Sequence, residues 1–405
     1  MIFMRQGKGK NFYSNLFILL ALSFFIINII KKPTLTINSA KRGLAAWFNI
    51  LIPSLLPFLF FSEILILLGF VDILGELLEP VIRPFFNISG QGAFPFLMSI
   101  ISGYPVGAKL TSSLRKKNMI SLVEANRLIA FASTSGPLFI LGAVAIGMLN
   151  NPNLASLMLM PHYLAALSLG FIFSFYQSNE STRFHRKKKK DYGFSHLFQA
   201  FKYSQDRPLG VIISKSIQDS TTSIILIGGY VIIYSVIIDL ILSSSMTISI
   251  LSTLSNYFNL SYDLLEALVA GLIEISTACF KVSSLNISLF CKILLLNFFI
   301  AWGGFSIQNQ ALGFIGETDI NKNVFLFSRL IHGGLTLLYT YIIYLFKYVN
   351  TGIPISVSPI KIDGDASWLA LFYNSTKLAF LGIFYILLLG LASYLLFSRN
   401  KKRAN

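Results

Sequence analysis

Charge is scarce in this chain: 12% of its 405 residues are Asp, Glu, Lys or Arg, against roughly 25% in a soluble domain. A shell of that poverty cannot cover a water-facing globule, so most of the chain is expected to meet lipid. Cysteine is nearly absent, and Cys279 and Cys291 both fall in apolar stretches, which excludes a disulfide framework and a cysteine metal cluster. The four histidines, at 162, 185, 196 and 332, are scattered, and neither a G-x-S-x-G elbow nor an H-E-x-x-H helix occurs. No catalytic residue, metal ligand or cofactor is read from the sequence, and an enzyme is not expected; a Ser102–Lys109 pair has only its spacing in its favour.

Apolar residues make up 54%. A crossing of the hydrocarbon core takes about 20 of them, because a helix rises only ~1.5 Å per residue. Spans are expected at 12–30, 44–70, 121–149, 155–177, 220–242, 286–316, 325–347 and 376–398, with a turn at Leu149–Asn153. The first follows Arg5, Lys8 and Lys10 but has no clean small-residue cleavage site, so it reads as a retained helix rather than a signal peptide. The formal charge of +16 comes from bases beside the spans, not from an arm that would hold nucleic acid. The blocks at Arg183, Arg186 and Lys187–Lys190, and at Arg399, Lys401, Lys402 and Arg403, are cytoplasmic by the positive-inside rule. Four spans separate them, so both termini are expected inside. Lys31, Lys32, Lys41 and Arg42 then fall outside, the one disagreement with that rule.

Two apolar segments are too interrupted to cross. One is 92–117, broken at Ser102-Gly103-Tyr104-Pro105, and the other is 263–283, broken around Glu274-Ile275-Ser276-Thr277. Each half is half a membrane deep, so both read as re-entrant hairpins. The spans that follow are broken as well, at Ser133-Thr134-Ser135-Gly136-Pro137 and at Gly303-Gly304, where proline removes a donor and glycine loosens the backbone. A shift of 170 residues places Asn49 on Asp219, Tyr104 on Glu274 and Thr134 on Gly304. Charge counting puts the first hairpin on the cytoplasmic side, with Arg115, Lys116 and Lys117 at its end, and the second outside. The expected fold is therefore an all-α, polytopic helical bundle of two inverted repeats, each with a re-entrant hairpin and a broken helix, around a wet cavity that the hairpin tips require.

The candidate binding residues lie at these breaks. In Ser102-Gly103-Tyr104-Pro105-Val106-Gly107-Ala108-Lys109, glycines permit close approach, freed amides can face an anion and Lys109 adds a positive charge. The plainer alternative is a turn between packed half-helices with Lys109 reaching for the cytoplasm. The spacing is not that of a P-loop. Glu274 is a carboxylate in an apolar segment, able to take a coupling proton or cation, or else satisfied by the Ser276 or Thr277 hydroxyl or by Lys281. Asp219 starts a span and reads as interfacial. Ser133, Thr134, Ser135, Ser306, Gln308 and Asn309 would suit a polar solute, though hydroxyls in membranes also bond back to their own helix.

The 102–109 segment, Gly271-Leu272-Ile273-Glu274-Ile275-Ser276-Thr277 and Trp302-Gly303-Gly304-Phe305-Ser306-Ile307-Gln308 together resemble the sporulation integral membrane protein YlbJ family, over most of the chain. That family belongs to the nucleoside-recognition, or Gate, group, which looks related to concentrative nucleoside transporters. The resemblance implies a multi-pass membrane protein of endospore formers, made in the mother cell, placed in the outer forespore membrane, needed for spore cortex and associated with moving dipicolinate. The chain is expected to divide into an N-terminal helix (1–40), a first Gate-like repeat (41–150), a connecting helix and basic loop (151–210), a second repeat (211–318), and C-terminal helices with a basic tail (319–405). Lipid and a small anionic solute are the expected partners, and a homo-oligomer is left open. A membrane scaffold or assembly factor that moves nothing is the competing reading.

Overall fold

The computed structural model describes residues 10–177 and 208–346. The basic block at 183–190, the loop at 350–367, the expected span at 376–398, the basic tail and the extreme N-terminus lie outside the described residues. Within them every regular element is a helix.

A helix over Lys10–Lys31 meets the next at Lys32, with a bend of 104° where Pro33 opens the new helix. That second helix runs from Pro33 to Leu67 and widens into a π-turn at Trp47–Leu51. The cause is local: Pro53 has no N–H for the Asn49 carbonyl, so the hydrogen-bond register slips just upstream of it. The expected span at 44–70 is thus the far half of a longer helix. Phe70–Phe86 follows, between Gly69 and Asn87 in left-handed conformations. Its charges and prolines hid it from the span reading. Ala93–Ser102 and Val106–Lys116 form the first helix–break–helix pair. A capping box of Ser121 and Glu124 opens Leu122–Phe131, which stops at 132 and resumes as a π-helical stretch, Leu138–Met148, after Pro137. Asn151 then caps the turn that leads into Ala155–Phe173.

The same series recurs. Leu209–Leu242 begins eleven residues before the expected 220 and takes Asp219 into its first third, paired with Lys215 at 2.9 Å. After it come Ser245–Phe258, the pair Tyr262–Ile273 and Ile275–Ser284, the broken helix Leu289–Trp302 with Gly304–Ile315, and Lys322–Tyr344. A shift of 170 residues, the separation of His162 and His332, superposes this order on 33–173 element by element. It matches Phe70–Phe86 with Ser245–Phe258, and Ala155–Phe173 with Lys322–Tyr344, neither of which the sequence reading had paired.

Among the described residues four helices are long and apolar enough to cross a membrane: Pro152–Phe173, Leu209–Leu242, Leu289–Ile315 and Lys322–Tyr344, or five with the bent pair 18–49. The 27-residue helix Leu289–Ile315 spans ~40 Å at ~1.5 Å per residue and sets a ruler through the molecule. At its start Lys292 donates to the Ser283 carbonyl at 2.8 Å, so the base of the second pair lies there. Beyond its end, Asp319 accepts a forked contact from Arg115 at 2.8 and 2.6 Å, and Lys116 pairs with Glu317. The bases of the two pairs are therefore at opposite ends of one span. The Arg115 fork holds the Asp319 carboxyl below its ordinary range. That tie is complete above the ordinary carboxylate pKa and is lost as pH falls through the lowered value.

Close backbone approach fixes where the elements meet. Gly303 and Gly304 have φ of 78° and 64°, and a Cβ on Gly304 would lie 2.9 Å from the Ile273 carbonyl. Gly304→Ala is expected to destabilise by about 1–3 kcal/mol through strain and displacement, while Gly229→Ala, with open space around its Cβ, is expected to be neutral or to gain up to about 1 kcal/mol in helix propensity. Thermal unfolding of the detergent-solubilised protein separates the two.

Candidate functional site

The breaks gather at one place. A Cβ on Gly103 would sit 2.6 Å from the Gly136 nitrogen, and one on Gly107 would sit 1.7 Å from the Ala132 carbonyl. The first pair is thus pressed onto the break of the following helix, and only glycine fits at these contacts. In the second half, Gly304 abuts Ile273 and Glu274 in the same manner. Tyr104 joins the two halves: its hydroxyl donates to the Ile300 and Ala301 carbonyls, at 3.1 and 3.3 Å, just before the Gly303 break.

Unwinding 132–137 exposes amides and carbonyls that need partners, and side chains from distant elements supply them. Ser99 Oγ accepts from the Thr134 amide at 2.9 Å and bonds the Thr134 hydroxyl at 2.9 Å. His162 Nε2 accepts from the Ser135 amide at 3.0 Å, and the Tyr163 hydroxyl donates to the Ser135 carbonyl at 2.9 Å. Arg329 donates to the Ser133 and Ala130 carbonyls. Its charge faces the C-terminal end of Leu122–Phe131, where the helix dipole is negative, and Phe325 lies 5.3 Å beneath it. His332 Nδ1 lies 3.4 Å from Arg329 Nη1 and its Nε2 is 3.1 Å from the His162 carbonyl. These partners assign Nε2–H to His332 and Nδ1–H to His162. The two rings lie 4.8 Å apart, both buried, beside a guanidinium that is 1% exposed.

The second half uses fewer side chains. Glu274, half-buried and extended, caps Ile275–Ser284, accepting from the Ser276 and Thr277 amides at 2.9 and 2.7 Å. Its partners are those amides, not the hydroxyls or Lys281; Lys281 pairs with Glu266 at 2.8 Å. A carboxylate at a helix N-terminus is favoured by the dipole as well. Trp302 Nε1 donates to the Leu272 carbonyl at 3.2 Å, and Gln308 reaches back to the Trp302 carbonyl at 3.1 Å. Ser306 is buried 3.5 Å from the Gln310 amide, while Asn309 turns outward to Tyr234 at 2.6 Å. Ser276 is exposed, so the polar residues of this half do not converge on a single point.

Lys109 is buried in an ion pair with Glu63, which Lys117 also approaches at 3.2 Å. The sequence reading left Glu63 out. It also passed over Arg329, His162, His332 and Tyr163. A signal was present: Asn151, Asn153 and His162 recur as Asn321, Asn323 and His332 at the 170-residue shift, and an arginine inside an apolar span is itself a marker of function.

Because Lys109 and Glu63 are 8% and 2% exposed, breaking the pair leaves a buried charge, at about 3–5 kcal/mol. Glu63→Gln strands Lys109 and is expected to cost more than Lys109→Met, which leaves Glu63 the Lys117 contact. Combining Lys109→Met with Glu63→Leu is expected to recover most of the loss, as a double-mutant cycle on thermal stability would measure.

The nucleoside-recognition Gate family matches residues 48–176, from the π-turn through the first pair and broken helix to the His162 helix. No solved structure matches the chain. The sporulation integral membrane protein YlbJ of Bacillus subtilis (strain 168) is 37% identical over 326 residues, which cover 78% of this chain and 80% of that protein. A relationship of that depth spans both halves of the fold, and the chain belongs to the YlbJ family of sporulation integral membrane proteins.

Proposed function

We propose that this protein is a transporter that moves a small anionic solute such as dipicolinate across the outer forespore membrane during spore maturation. The observation that carries this reading is the meeting of helix breaks from both halves around Tyr104 and Arg329, at the middle of a span-long helix. The two halves are inverted repeats, their helix–break–helix pairs enter as re-entrant hairpins from opposite faces, and alternating access follows from one half rocking against the other. Opposite placement of the two bases along Leu289–Ile315 supports the inversion. Direct contact of His162 with His332 supports it too, since residues equivalent by a two-fold axis touch one another only near that axis.

The Gate description names nucleosides, which makes a nucleoside the natural competitor in any assay. An anion is favoured here because the centre carries Arg329 with no carboxylate within salt-bridge distance among the described residues. A scaffold that moves nothing is favoured by the internal satisfaction of the 132–137 backbone, which a static bundle also needs.

Sealed vesicles carrying the protein are expected to take up labelled dipicolinate in preference to uridine. Uptake should fall by at least tenfold in Lys109→Met and Glu274→Gln at equal protein level. Vesicles that move neither solute would favour the scaffold, and uptake of uridine alone would replace the anion with a nucleoside.

A further inference from the structure

Lys31, Lys32, Lys41 and Arg42 sit where charge counting expects no cluster of bases. Arg42 is answered by Asp239, which Ser39 also meets. Lys32 donates to the Ser243 carbonyl and, at 3.1 Å, to the Ser243 hydroxyl, which fixes both lysines at the end of the Leu209–Leu242 span. An ammonium has three donors, so Lys32 keeps one in hand. Lys31 is exposed. No Asp or Glu among the described residues lies within 4.0 Å of either ammonium.

Both lysines line an open cleft of about 470 Å³ between the end of Lys10–Lys31 and the start of Ser245–Phe258, a size within the roughly 300–1,000 Å³ of small-molecule sites. Ser243, Ser244 and Ser245 line it from the other helices. The 240–266 segment contains no Lys or Arg, and Ser245–Phe258 has no acid in its first turn. The charge of the cleft therefore comes from the two lysines, and the first amides of the 14-residue helix, which have no partner within it, add to them. The rest of the wall is apolar, formed by Phe24, Ile27, Met246 and Ile248. Ile27, Met246 and Ile248 are also exposed, as are Ile26 and Ile30 on the first helix, so apolar surface continues out of the cleft toward lipid. A soluble anion needs the cations and not the apolar wall; a hydrocarbon chain needs the wall and not the cations. A phospholipid needs both.

We infer that this cleft binds the phosphate of an anionic phospholipid, with Lys31, Lys32 and the first amides of Ser245–Phe258 around the phosphate and the apolar wall against the glycerol and the first methylenes. The lipid supplies the counter-charge that no carboxylate of the described residues gives these two lysines. It also braces Lys10–Lys31, whose apolar side chains are exposed along its length, against the rest of the bundle. The site does not depend on the transport reading.

The test is ligand-dependent thermal stabilisation of the purified full chain in detergent, with dioctanoyl phosphatidylglycerol, dioctanoyl phosphatidylcholine, glycerol 3-phosphate and inorganic phosphate as probes. Phosphatidylglycerol is expected to raise the melting temperature of the wild type well beyond the other three. Lys31→Gln, at an exposed side chain without an ion pair among the described residues, should leave the unliganded melting temperature unchanged and weaken phosphatidylglycerol binding about fivefold, the worth of one basic residue at an anionic lipid surface. Lys31→Gln combined with Lys32→Gln should remove the shift. Lys41→Gln takes the same charge from the same flank but lies outside the cleft wall, and should bind as the wild type does. Phosphatidylcholine that stabilises equally, Lys41→Gln that weakens binding as much as Lys31→Gln, or no shift with phosphatidylglycerol would each overturn the site. An equal shift with glycerol 3-phosphate or inorganic phosphate would overturn the lipid and put a soluble phosphate in its place.

Discussion

Everything at the centre of this protein follows from the cost of an unpaired peptide group where there is no water. A helix that crosses lipid satisfies its own backbone, and each break releases amides and carbonyls that cost several kcal/mol apiece unless something else meets them. The chain breaks four times within the span of Leu289–Ile315, at 103–105, 132–137, 274 and 303. It meets the debt by bringing the breaks together. Glycines at 103, 107, 136 and 304 let backbone lie on backbone, and Ser99, His162, Tyr163, Arg329 and Glu274 answer the groups that remain.

Of the positive charges buried along the way, Lys109 and Arg329 are handled differently. Lys109 is closed off by Glu63, with Lys117 as a second, more exposed cation beside the same carboxylate. Arg329 is held by carbonyls at a helix C-terminus, which fix its position without cancelling its charge. The first arrangement locks a helix pair to Ile52–Leu67, whereas the second leaves a positive centre where the two halves meet. Placement of His162 against His332 there ties the crossing of the long helices to the same point.

Interruptions were the legible part of the sequence. Glycine, proline and runs of serine mark breaks by local rules, so 102–105, 133–137, 274 and 303–304 could be found residue by residue, along with the 170-residue offset between them. What could not be read was which side chains answer those breaks. Arg329 lies 196 residues from the Ser133 carbonyl it grips, and no local rule links the two. Phe70–Phe86 was missed because its charges lower its hydropathy although its apolar face is continuous. Glu274 was found but given the wrong partners, since a capping carboxylate takes its own helix's amides before any hydroxyl. The histidine pair was visible in principle, because 162 and 332 differ by the repeat offset, but a search for catalytic clusters looks for neighbours in sequence and not for equivalents.

A pathway through the meeting breaks requires the two halves to be opposed in the membrane. The most direct measurement is sided labelling with a membrane-impermeant maleimide in intact cells, with Cys279 and Cys291 replaced and single cysteines placed at Lys116 and at Asn286, the exposed bases of the two pairs. Asn286→Cys is expected to react from outside and Lys116→Cys only after the membrane is opened. Reaction of both from the same side would contradict the inverted arrangement and, with it, the pathway built on the meeting of the breaks.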